Sequence, residues 1–95
     1  MEYYAKIQWT DGGTWTLYSH FSEEGVETQR VLITPHNIFW ADLYAESGTT
    51  LEKRRFHSVE QIRKEFYPSD CSAEEITRSD FIGAWNRALM ETSMS

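Results

Sequence analysis

The chain is 95 residues long and 11.2 kDa, room for one domain, residues 1–95, without a second core. Its 40% hydrophobic and 15% aromatic content is enough to build an interior, which excludes wholesale disorder. Nine Lys and Arg stand against fifteen Asp and Glu, a formal charge of −6 and the wrong sign for a general nucleic-acid or anionic-membrane binder.

No apolar run reaches the ~18 residues of a transmembrane helix, so no membrane contact is expected. The start Met1-Glu2-Tyr3-Tyr4-Ala5-Lys6 has neither the basic region nor the apolar stretch of a signal peptide. Cys71 is alone, so no internal disulfide can form and a reducing, cytoplasmic setting is expected.

The first segment alternates. Tyr3, Ala5, Ile7 and Trp9 fall on one side, Tyr4, Lys6 and Gln8 on the other, which is the period of a strand. Asp11-Gly12-Gly13 supplies a turn, glycine taking the positive φ of a tight hairpin. A three-residue loop sets Trp9 against Trp15, Ile7 against Leu17 and Tyr3 against Phe21, whereas a two-residue loop would mix the faces.

Glu23-Glu24-Gly25 makes a second turn, placing Leu17 opposite Val31 and Trp15 opposite Ile33. Pro35-His36-Asn37 makes a third, with Ile33 against Phe39 and Val31 against Ala41, and Leu43 and Ala45 following on that face. The rival reading of residues 35–47 is a helix capped by Thr34, with Pro35 at its first position and Gly48 as its stop. Ile38, Phe39, Trp40 and Tyr44 favour the strand. Beyond Ser47-Gly48-Thr49, residues 51–56 read as a charged fifth strand. Its basic run either guards a sheet edge or forms a contact site.

Two helices end the chain. Ser58-Val59-Glu60-Gln61 fits a capping box; Val59, Ile62 and Phe66 share a face and Pro68 ends the helix. Ser72-Ala73-Glu74-Glu75 fits the cap of a short turn. Ser79 opens a longer helix in which Phe81, Ile82, Trp85 and Leu89 recur at helical spacing. Residues 92–95 are expected to be frayed and disordered.

The expected fold is therefore α+β: an antiparallel β-meander of four to five strands with both C-terminal helices packed on the Trp9, Leu17, Val31 and Phe39 face. On the reverse face this register opposes Arg30 to Asp42 as an ion pair and leaves many rings uncovered. Tyr4, Tyr18, Arg30, Leu32, Trp40, Asp42 and Tyr44 are the expected partner-binding residues, since Tyr, Trp and Arg dominate binding hot spots. The occupant is a heterologous protein, a second copy in a homodimer, or the chain itself.

Stacking of single-stranded nucleic acid on such rings needs a basic surround. Residues 1–50 hold two cations against seven carboxylates, which argues against direct nucleic-acid contact. Residues 51–68 reverse the balance, with five cations against three carboxylates. An acidic surface can instead meet a nucleic-acid-binding protein by imitating its ligand.

No catalytic residue, metal site or cofactor is expected. His20, His36 and His57 share no ligand spacing, and Cys71 has no second thiol nearby. Ser58 beside His57 is explained by its cap, and the carboxylates around Cys71 make it a poor nucleophile. A small-ligand or enzymatic site would have to use His20 with Tyr4 and Tyr44.

The passage Arg55-Phe56-His57-Ser58-Val59-Glu60-Gln61-Ile62, running to Phe66-Tyr67, resembles the small phage-encoded anti-CRISPR inhibitors of type I CRISPR complexes. One member of that group has a Phe-x-Ser-x-Glu-Gln-Leu passage ending in Phe-Tyr and followed by a second helix. The likeness covers residues 55–90, about a third of the chain, and the sheet segments lie outside it. It implies an inhibitor that binds a CRISPR effector, with contacts mainly from the sheet, and blocks target-DNA recognition. The matched positions are cap and core residues, so no functional residue carries over.

Overall fold

The computed structural model describes residues 1–93 other than 67 and 69. Six strands form one antiparallel sheet in the order β5-β4-β3-β2-β1-β6. They are β1 (Tyr3–Thr10), β2 (Thr14–Phe21), β3 (Glu27–Ile33), β4 (Ile38–Asp42), β5 (Glu46–Ser47) and β6 (Ser72–Ile76). The helices are α1 (Val59–Glu65) and α2 (Arg78–Ser93). The class is α+β, as the alternation and the two late helices required. Tyr67 of the family-like passage and residues 94 and 95 of the expected frayed end lie outside the described residues.

The first hairpin has the predicted register, with Trp9 opposite Trp15, Ile7 opposite Leu17 and Tyr3 opposite Phe21. The next pairing departs from it. Phe21 faces Glu27 as the Glu23-Glu24-Gly25 turn demands, but His20 then faces Gln29, so Thr28 is an extra residue in a bulge. One inserted residue reverses the face of everything after it. Leu17 consequently faces Leu32 instead of Val31, and Thr16 faces Ile33.

A second slip follows at the Thr34–Asn37 loop, where Ile33 pairs with Ile38 and Val31 with Trp40. The two slips cancel in β4: Phe39 and Ala41 share the Trp9 face after all. Only β3 is turned over. Arg30 therefore lies opposite Ala41, and the expected Arg30–Asp42 ion pair does not form.

Two further elements correct the expectation. Residues 51–56 are irregular instead of a fifth strand, and the edge is taken by the two-residue β5. Residues 72–76 form β6 on the far edge of β1, with Lys6 opposite Glu74 and Ile7 opposite Ala73. Opposite charges on one face and apolar residues on the other are what a cross-strand partner of β1 needs.

The helices also depart from the expectation: they lie on opposite faces of the sheet. On the α1 side, Val59 and Ile62 join Tyr3, Ala5, Ile7, Leu17, Phe21, Phe56 and Ala73 in one apolar core. The Ser58 hydroxyl accepts from the Gln61 amide, while the Gln61 side chain accepts from the His57 amide, one residue earlier than a simple capping box. On the other side α2 crosses β1 to β4. Phe81 is fully buried against Tyr4 at 5.3 Å, and Trp85 meets Trp40 edge-on at 5.5 Å. Thr77 and Asp80 cap α2 reciprocally, so it starts just before the expected Ser79.

Tyr4 and Trp40 of the reverse face are thus part of the docking surface of α2. Val31, fully buried, is delivered to that same face by the β3 bulge. Each face of the sheet takes one helix, the seven-residue α1 on the Ile7 side and α2 on the Tyr4 side.

Candidate functional site

The structure separates the seven expected partner-binding residues. Tyr4 is stacked on His20 at 4.5 Å beneath α2. Tyr18, half-buried, lies under the Lys6 ammonium at 5.9 Å. Trp40 packs against Trp85, and its indole N–H donates to the Thr92 hydroxyl at 3.1 Å. Arg30 and Leu32 are on the opposite face. Arg30 donates to Glu27 at 2.8 Å and to Thr49 at 3.3 Å, and Leu32 packs on the α1-side core. Asp42 and Tyr44 alone remain together at an open surface. A homodimer closed through the aromatic face loses its contact area to α2.

That open surface is the β4–β5 turn. Asp42 Oδ1 accepts from the amides of Tyr44 and Ala45, both at 2.8 Å, and the Asp42 amide donates to the Ala45 carbonyl at 2.9 Å. An aspartate closing on its own backbone makes a rigid Asx turn. The geometry pushes the two intervening side chains outward: Tyr44 is 93% exposed and Leu43 62%. Leu43, which strand alternation with Ala41 would put on the core face, is therefore part of the tip.

Carboxylates surround this tip. On the α2 side a cleft of about 530 Å³ is walled by Glu2, Glu23, Glu24 and Asp42, with His20 and Thr28 beneath Leu43 and Tyr44. Glu23 and Glu24 are presented by the β2–β3 turn, in which Ser22 accepts from Gly25 and donates to Val26, and Gly25 takes φ +78°. On the other side a wider groove, about 980 Å³, runs past Glu46 and Glu52 to Lys53.

His20 sits at the cleft floor with 16% of its side chain exposed. Its Nε2 lies 3.0 Å from Glu2 Oε2 and its Nδ1 2.7 Å from Thr28 Oγ1. The Thr28 hydroxyl also lies 3.4 Å from the His20 carbonyl. His36 and His57 are exposed elsewhere, in the β3–β4 loop and before α1.

Burial pushes the Cys71 thiol above its ordinary range, against the backbone hydrogen bond it receives, and Asp70 adds to the rise. A thiol held protonated is a weak nucleophile. Among the described residues no helix is long and apolar enough to cross a membrane, and no group of three His, Cys, Asp or Glu is placed to hold a metal ion.

No protein-family model, curated protein or solved structure matches the chain.

Proposed function

We propose that this chain is a non-catalytic protein-binding module whose contact surface is the Leu43–Tyr44 tip with its flanking carboxylates. The partner is a protein with a cationic surface, such as a nucleic-acid-binding complex. One observation carries the reading: a tyrosine 93% exposed on a turn locked by Asp42, beside a cleft walled by Glu2, Glu23 and Glu24.

A rigid aromatic projection loses little conformational freedom on binding, and Tyr is a favoured hot-spot residue. The surrounding negative field speeds encounter with a positive partner and rejects acidic ones. The resemblance to anti-CRISPR inhibitors supplies a partner class. CRISPR effectors hold nucleic acid in positively charged channels, and an acidic tip seated there would exclude the target. The lone Cys71 suits the reducing cytoplasm in which such a complex works.

The test uses a purified type I effector complex and the intact chain. Saturable, salt-sensitive binding that displaces target DNA is expected for the wild type. It should fall at least about tenfold for the Leu43→Ser, Tyr44→Ala double variant, a loss of ~1.4 kcal/mol. A fluorescent hexa-arginine peptide, bound by the wild type and released by Glu23→Gln with Glu24→Gln, checks the charge component alone. Undiminished effector binding by the tip variant removes this reading.

A further inference from the structure

On its α1 face the protein holds a cavity of about 440 Å³, apart from the Leu43–Tyr44 tip. Small-molecule sites run from about 300 to 1,000 Å³. Strand pairing builds its floor: Leu32 stands opposite Leu17, and Trp9 lies two positions beyond Ile7 on the same side of β1. Phe66, at the end of α1, closes one wall, 5.9 Å from Trp9 and 6.2 Å from Phe56. Trp9, Leu32 and Phe66 pack on the apolar core yet stay half-buried, so part of each ring or side chain faces the open space.

The polar rim is charge-matched. Arg30 donates to Glu27 at 2.8 Å, and Arg54 donates to Glu65 at 3.0 Å. Glu52 is a third carboxylate, its Oε1 accepting from the Arg54 amide at 3.0 Å. Two guanidiniums beside three carboxylates leave no excess positive charge to hold an anion, and the guanidiniums repel a cation. Hydrogen-bonding capacity is nonetheless left over. A guanidinium has five N–H donors. Arg30 uses Nε on Glu27 and Nη1 on Thr49, and among the described residues no acceptor meets its Nη2. Every buried side-chain nitrogen or oxygen of the described residues has a partner, so Nη2 lies open, and Arg30 is in the wall of this cavity. Glu52, also in that wall, keeps its Oε2 unengaged. The two residues are neighbours because Glu27 Oε1 accepts from both Arg30 Nε and the Glu52 amide, at 2.8 and 2.7 Å.

We propose that this cavity binds an uncharged planar bicyclic lactam, its rings against Trp9, Leu32 and Phe66. The ring carbonyl accepts from Arg30 Nη2, and the adjacent N–H donates to Glu52. A lactam presents acceptor and donor side by side on one edge, which is what an adjacent donor and carboxylate require. A ligand lacking either group leaves a desolvated partner unpaired. The site stands independently of the tip and its partner.

The test titrates carbostyril, a bicyclic lactam, into the intact chain and follows it by two-dimensional NMR. Saturable shifts should centre on the Trp9 indole and the Leu17 and Leu32 methyl groups. N-methylcarbostyril, without the N–H, and indole, without the carbonyl, should each bind at least about fivefold more weakly. Quinaldate, an anion of similar size, should bind more weakly than carbostyril. Glu52→Ala, which keeps the backbone amide on Glu27, should bind carbostyril and its N-methyl derivative alike. Leu32→Trp, filling the cavity, should weaken carbostyril binding at least about tenfold. Shifts centred on Leu43 and Tyr44, equal binding of all four probes, tighter binding of quinaldate, or no saturable binding of carbostyril overturns the proposal. If Leu32→Trp does not fold, the four probes on the wild-type chain decide it alone.

Discussion

The Glu27 carboxylate accepts from the backbone amide of Glu52 at 2.7 Å, twenty-five residues further along the chain. Glu27 is 1% exposed, and two more groups converge on it. The Ser19 hydroxyl donates to its second oxygen at 2.5 Å, and Arg30 donates at 2.8 Å and extends to Thr49. This network fastens the irregular segment after β5 to the α1 face of the sheet.

A buried carboxylate is tolerable only while its donors are in place. Glu27→Gln keeps the size but leaves Arg30 without its counter-charge and turns amide hydrogens toward existing donors. It should lower the unfolding free energy by about 2–4 kcal/mol, read from urea denaturation. A change below about 0.5 kcal/mol would mean that the network adds nothing net.

Trp40 and Tyr44, four residues apart, should behave in opposite ways. Trp40→Ala removes the edge-on contact with Trp85 and the hydrogen bond to Thr92, opening a cavity under α2. A loss of about 3–5 kcal/mol is expected in thermal or urea melts. Tyr44→Ala touches only solvent and should leave stability within about 0.5 kcal/mol. Equal effects at the two sites would contradict the placement of α2.

Tyr3 gives an alkaline signature. Its hydroxyl donates to the Phe56 carbonyl at 2.6 Å, and its ring stacks on Phe21 at 4.9 Å. Burial, with Glu75 adding to it, pushes the phenol from its ordinary 10.0 up to about 12. The folded state therefore holds this proton more tightly than the unfolded one. The associated stability is complete below the ordinary value and declines as pH rises toward the folded value. Denaturation series across that interval should show the decline in the wild type and a flatter profile in Tyr3→Phe. That variant should also be weaker at neutral pH by about 1 kcal/mol, through the lost hydrogen bond.

Much of the architecture was legible because local chemistry decides it. Strand period and turn glycines specify the β1–β2 register pair by pair, and Ser58 and Gln61 mark the start of α1. β6 was hard to see because Ser72-Ala73-Glu74-Glu75 also reads as a cap, and its partner strand ends more than sixty residues earlier. Leu43 was misplaced because alternation continues past the point where Asp42 folds the backbone into a turn.

The chain's own residues determined an α+β sheet with two late helices, an acidic surface and an aromatic second face. Tertiary structure alone decided what those aromatics do. Thr28 turned β3 over, α1 packed on the Ile7 face, and α2 took the side of Tyr4 and Trp40. Periodicity states which residues lie together on a face. What covers that face depends on bulges and helix lengths whose energies are set by contacts distant in sequence.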